Sequence, residues 1–167
     1  MTETTDTPKP QVRAAGASDV DAIASIWHAG WCDGHLGHVP DELLAVRTPE
    51  SFLERSAALI DEFQVIIVDD SVAGFHLIVD DEVEQFYVSR QYRGQGISDE
   101  LMRHAEETIR SAGHLSMWLA VVAGNDRARG FYARQGWIDE GLFDYGASAG
   151  EGAIAVPSHR YVKSLSS

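Results

Sequence analysis

One short segment, Gln91-Tyr92-Arg93-Gly94-Gln95-Gly96, constrains the chain more than any other. A β-rich run, Glu82 to Ser89, leads into it, and a helix-periodic run, Ile97 to Ala112, leaves it. A glycine-bearing turn between a strand and a helix start points backbone N–H groups at an anion, and the positive end of the helix dipole favours negative charge there. Gly94 and Gly96 have no Cβ, so the main chain can approach a ligand and take up left-handed dihedrals. This predicts a site for a diphosphate-bearing ligand. The dinucleotide fingerprint G-x-G-x-x-G fails because position 99 is Asp, and no Gly-Lys-Ser or Gly-Lys-Thr completes a P-loop.

The spacing Q-x-x-G-x-G resembles the cofactor motif of the Gcn5-related N-acetyltransferases (GNAT). A second block downstream, Asn125, Ala128, Phe131, Tyr132, Gly136 and Trp137, is similar to that family's N-x-x-A-x-x-F-Y-x-x-x-G-[FW] pattern. The resemblance spans residues 11–164 and is sharpest over 82–137. It implies the GNAT fold, a mixed and mostly antiparallel sheet flanked by helices, in which the strands at 82–89 and 115–122 splay apart around the pantetheine arm of acetyl-CoA.

The rest of the chain agrees in kind. Residues 1–10 read as a disordered tail and 11–167 as one domain. Val12 to Ala15 is a short strand. Ser18 caps a helix carrying Val20, Ile23, Ala24, Trp27 and Trp31, and Cys32 to Pro40 is a loop or interrupted helix. Pro49 to Ile60 is amphipathic. Phe63 to Val68 and Val72 to Val79 form a hairpin around Asp69-Asp70-Ser71. Leu115 to Val122 has the continuous apolar character of a buried strand. Asn125 caps a helix over Asp126 to Gln135. Trp137 to Tyr145 and Ile154 to Val162 close the sheet across a flexible Gly146 to Gly152, and the final strand is an edge that a homodimer could share. Strands alternating with helices give an α/β or α+β sandwich.

A formal charge of −13 disfavours nucleic acid as a partner, since phosphate neutralisation needs clustered Lys and Arg. It is compatible with a cationic acceptor. No apolar run approaches the roughly 20 residues of a membrane span. A single cysteine, Cys32, makes a reducing cytoplasm the default. Arg90, Arg93, Arg127, Arg129 and Arg134 surround the two blocks and are positioned to offset the anionic cofactor.

By resemblance, the backbone N–H groups of Arg93, Gly94, Gln95, Gly96, Ile97 and Ser98 hold the pyrophosphate. The backbone of Phe86, Tyr87 and Val88 pairs with the pantetheine amides as an added strand would. Asn125 bonds the same arm or caps its helix, and Arg129 lies on the cofactor side. Asp99 and Glu100 should point away from phosphate. Acetyl transfer to an amine needs a base for the amine, because a free alkyl amine has a pKa near 10. Glu84 is the first candidate, on a strand face shared with Phe86 and Val88, and Glu82 is the alternative. Tyr132 is the candidate acid for the leaving sulfur, with Phe131 taking the buried place beside it. Trp27 and Trp31 share a helix face, as core or as aromatic walls for a cation. Asp33, His35 and His38 complete the expected acceptor side. His35 and His38 form H-x-x-H without the frame of a zinc protease, so no metal is expected. The acceptor reading that follows is a small cationic amine of the aminoglycoside antibiotic type. The alternatives are a peptide N-terminus, an amino acid or a polyamine, or a non-catalytic acyl-CoA sensor.

Overall fold

In the computed structural model, which describes residues 9–149 and 152–165, seven strands form one sheet: β1 (Gln11–Ala14), β2 (Phe63–Val68), β3 (Ser71–Val79), β4 (Glu82–Val88), β5 (Ser116–Val122), β6 (Ile138–Ala149) and β7 (Gly152–Ser164). Their order across the sheet is β1-β2-β3-β4-β5-β7-β6. All neighbours are antiparallel except β4 and β5, which are parallel and meet at one pair, Glu82 with Trp118. Beyond it the two strands diverge, as the resemblance implies.

Helices cover both faces. On one lie α1 (Val20–His35), α2 (Asp41–Val46) and α3 (Pro49–Ala58); on the other lie α4 (Ile97–Ser111) and α5 (Asp126–Arg134). Trp27 is the centre of the first core, edge-on to Phe52, Phe63 and Phe75 at 5.5–6.0 Å. Ile97, Leu101, Met102, Ala105 and Ile109 recur at helical spacing on α4 and are all buried.

Several local expectations change. Ser18 lies in a 3₁₀ turn before α1 and does not cap it; the Asp19 carboxylate does the local work, accepting from Gly16 N–H at 2.9 Å and pairing with Arg13. α1 runs on through the first four residues of the Cys32 to Pro40 stretch and stops at His35, and residues 36–40 form the expected non-helical connection. α2 was not foreseen; its six residues bury only Leu43. Thr48 caps α3, accepting from Ser51 N–H at 3.2 Å. The expected loop at Gly146 is mostly strand, because small side chains pair across a long hairpin, Gly146 with Ala155 and Ala149 with Gly152. Positions 150 and 151, and the first eight residues of the expected tail, lie outside the described residues. β7 is interior and β6 is the edge, so the final strand is not available for sharing. Among the described residues no helix is long and apolar enough to cross a membrane.

Candidate active site

The glycine turn has the geometry its composition demanded. Gly94 and Gly96 stand at φ +76° and +80°, with nothing within 4 Å of an added Cβ. Conformation rather than crowding therefore requires glycine at both positions. Gln95 Nε2 donates to Gln91 O at 2.9 Å and closes the turn. Gly96 occupies the N-cap of α4 and offers no side-chain acceptor. Among the described residues none of the N–H groups from Gly94 to Ser98 has a backbone acceptor, which leaves them open to an anion. Arg93 is an exception to the expected set: its N–H is used within the turn, to Arg90 O at 3.3 Å.

The arginines divide. The side chains of Arg90 and Arg93 both bond Asp33 of α1, Arg93 Nη2 at 3.1 Å, and together hold its carboxyl down at about 2. Asp33 is thus a brace between α1 and the glycine turn and is not free for an acceptor ammonium. Arg129 turns away from the cofactor side, with Nε donating to Tyr161 Oη at 3.2 Å and Nη2 reaching Asp139. Arg127, in the first turn of α5, is exposed and has no ion pair among the described residues. Asp99 accepts from Gln135 at 2.6 Å and Glu100 pairs with Arg103.

A cavity of about 160 Å³ occupies the gap between β4 and β5. Its walls include Glu82 to Tyr87, Leu119 to Val122, Asn125, Ala128 and Tyr132. The β4 ladder with β3 slips at Glu84: Val83 pairs with Ile78 and Gln85 with Leu77, which leaves Glu84 as the extra residue of a bulge. This overturns the shared face predicted for Glu84, Phe86 and Val88. Val83, Phe86 and Val88 pack on the α4–α5 side, whereas Tyr87 packs with α1 and Glu84 senses Arg55 of α3.

The two glutamates are not equivalent. Tyr145 Oη donates to Glu82 Oε1 at 2.6 Å. Glu84 has no hydrogen-bond or ion-pair partner among the described residues. Desolvation, and then the neighbouring Glu82, push its carboxyl above the usual range, against a smaller opposing pull from Arg55.

Tyr132, not Phe131, takes the buried place, at 7% exposure, with Trp137 and Tyr161 around its ring. It still reaches the cavity wall, and burial raises its phenol so that the hydroxyl stays a donor at neutral pH. Asn125 serves its cap and leaves a donor over: Oδ1 accepts from Ala128 N–H at 3.2 Å, while Nδ2 lies against Gly34 of α1.

On the acceptor side, Trp27 and Trp31 are core residues that also face the cavity. Trp27 already carries a cation, Arg55, 4.3 Å above its ring. His35 stacks on Trp31 at 4.8 Å, and burial lowers its pKa to about 4, so it is neutral. His38 is away from the cavity, packed on Gly124. Arg47, Arg55 and Tyr145 are among the wall residues that escaped the sequence reading. Arg55 was findable, because it follows the buried Phe52 by three residues on α3.

The open amides, the strand edge freed by the divergence of β4 and β5, and Asn125 Nδ2 fit an acylated pantetheine diphosphate. The GNAT acetyltransferase family model matches residues 27–137. An uncharacterized N-acetyltransferase of Lactobacillus delbrueckii subsp. lactis is 31% identical over 54% of this chain and 54% of its own. A streptothricin acetyltransferase of Streptomyces lavendulae is 37% identical over 43% of this chain and 40% of its own. The chain thus spans about half the length of the curated relatives it matches. The PaiA N-acetyltransferase of Thermoplasma acidophilum, solved with coenzyme A, superposes with TM-score 0.67 at 19% identity over 94% of this chain and 99% of that one. With the glycine turn, the Asn125 helix and the splayed strands all in place, the chain belongs to the GNAT family of acetyltransferases, whose cofactor is acetyl-CoA.

Proposed function

We propose that this chain transfers an acetyl group from acetyl-CoA to a primary amine by direct attack, with Glu84 as the base and Tyr132 as a donor at the sulfur. The observation that carries this reading is one cavity, at the β4–β5 gap, walled by an unpartnered carboxylate, a protonated buried phenol and the Asn125 amide. When bound, acetyl-CoA supplies an activated acyl group and a thiol leaving group. The N–H groups from Gly94 to Ser98, the backbone of Phe86, Tyr87 and Val88, and Asn125 Nδ2 would hold it.

The residues then have distinct tasks. An amine held between Trp31 and β4 loses its proton to Glu84, whose raised pKa narrows the gap to the ammonium. Glu82, occupied by Tyr145, shapes the field around Glu84. A thiol has a pKa near 8.5 and an ordinary phenol near 10, so full proton transfer from Tyr132 would be uphill by at least about 2 kcal/mol. A hydrogen bond to the developing charge is therefore the contribution of Tyr132.

The acceptor expected from the acidic composition is a small polycationic amine such as an aminoglycoside-type antibiotic. The −13 charge and the similarity to a streptothricin acetyltransferase speak for that acceptor, whereas the two guanidiniums that line the cavity, Arg47 and Arg55, speak against a polycation and for the amino-acid alternative. A reducing, cytoplasmic setting is consistent with one cysteine. The test is thiol release from acetyl-CoA across a panel of amines. Amine-dependent release supports the enzyme; coenzyme A binding with no release on a broad panel rejects catalysis in favour of a sensor.

A further inference from the structure

The cavity wall that α2 and α3 supply is cationic. Arg47 ends α2 and Arg55 lies on α3, and both are cavity residues. Neither has a carboxylate within ion-pair distance among the described residues. Arg47 Nη2 donates to Ser148 O at 2.6 Å, but its Nε is buried with no acceptor. Trp27 Nε1, under the Arg55 guanidinium, is also buried with no acceptor. Two orphaned donors and two guanidiniums without an ion pair among the described residues therefore gather on one side of the acceptor space.

A buried donor without a partner costs on the order of 1–3 kcal/mol, and like charges brought together under desolvation add to that. The burden shows in the guanidinium of Arg47, lowered to about 10 by burial first and by Arg55 second, yet still charged at neutral pH. An oxyanion in the cavity would offset the two guanidinium charges, because guanidinium forks match carboxylate oxygens. Glu82 and Glu84 stand on β4, so the cavity carries two carboxylates and two guanidiniums. The acidity of the chain as a whole is not concentrated in the pocket.

We propose that Arg47 and Arg55 form an oxyanion subsite in the acceptor pocket, and that the acceptor is a small amine carrying a carboxylate, an amino acid in the broad sense, and not a polycation. This rests on the amine acetyltransferase reading above. The ammonium lies toward Glu84 and the carboxylate toward α2 and α3, so the pocket selects for a zwitterion.

The test uses matched probes: free amino acids, their C-terminal amides and their decarboxylated amines, beside spermidine and kanamycin. Thiol release should favour at least one carboxylate-bearing member over its matched amide by about 10- to 100-fold, the worth of a charge-assisted bond. That ratio should fall toward one in Arg47→Gln and Arg55→Gln, with circular dichroism confirming the fold. Preference for amides or polycations, or a ratio unaltered in both variants, overturns the subsite. Ligand-observed NMR titration tests it without turnover. Carboxylate-dependent binding that weakens in Arg55→Lys supports it, and no such binding to protein that holds coenzyme A overturns it. If carboxylate-dependent binding persists but no amine releases thiol, the subsite stands and the catalytic reading fails.

Discussion

Gly34→Ala separates the stability of the fold from the function of the site. Gly34 lies in the last turn of α1, and a Cβ there would come 2.6 Å from Asn125 Nδ2 and 3.4 Å from its Cγ. The obstacle is the end of a side chain, so the amide has to retreat by about 0.8 Å to reach ordinary 3.4 Å contact. Two stability effects oppose each other. Alanine is favoured over glycine by up to about 1 kcal/mol in a helix interior, and by less in a last turn. Disturbing the Asn125 cap on Ala128 N–H costs about 0.5–2 kcal/mol. The net is a loss of up to about 2 kcal/mol, which in a domain of this size lowers Tm by up to roughly 4–8 °C. The loss at the cavity has no such compensation. Nδ2 is the amide's remaining donor, and a misplaced hydrogen bond of about 0.5–1.5 kcal/mol weakens coenzyme A binding by roughly 2- to 13-fold. Calorimetric titration with coenzyme A and a thermal melt on the same preparation provide both numbers. Unchanged affinity would refute the role of Asn125 in holding the cofactor. A Tm drop beyond about 8 °C would show that Gly34 serves packing instead.

Three further outcomes follow from the same geometry. Glu84→Gln lowers kcat by roughly 100-fold or more and removes the acid limb of the pH–rate profile. In the parent protein that limb lies above the ordinary carboxylate range because the Glu84 pKa is raised and the base works only when deprotonated; a limb that survives in the variant rejects Glu84 as base. Tyr132→Phe lowers turnover by roughly 10–1000-fold with coenzyme A affinity within a few-fold, and an unchanged kcat dismisses the hydroxyl. His76, buried on β3 with Nε2 3.0 Å from His104 Nδ1, is pushed down to about 3 by burial and by His104. The unfolded chain takes up that proton near pH 6.5, so the unfolded state binds more protons between about 6.5 and 3, and stability falls as pH falls through that window. His76→Phe should flatten that slope in urea melts taken across the window, and an equal slope would show that His76 does not titrate on unfolding.

What could be seen in the sequence was local or periodic. Gly94 and Gly96 were legible because two left-handed residues at a strand-to-helix turn leave few alternatives to glycine. The face of α4 was legible because its five buried residues recur at helical spacing. The bulge at Glu84 was not, because a one-residue slip depends on how Ile78 and Leu77 of the partner strand align, and nothing in β4 itself announces it. Asp33 was misread for the same reason: its partners, Arg90 and Arg93, are distant in sequence and meet it only when α1 docks beside the glycine turn. α2 is too short for periodicity to register, which hid Arg47. Tyr132 exchanged places with Phe131 because Trp137 and Tyr161 surround its ring, a contact between elements that helix spacing cannot rank.

The central claim is that free main-chain amides at the start of α4 grip the diphosphate of an acyl carrier. Titration calorimetry of coenzyme A into the folded protein and into Gly96→Val tests it most directly. The account predicts one-to-one binding with Kd in the range of about 1–100 μM for the parent protein. In the variant the β-branched side chain at a φ of +80° displaces the turn, and affinity falls at least about tenfold. No detectable heat with the folded parent protein, or equal affinity in the variant, would contradict the claim.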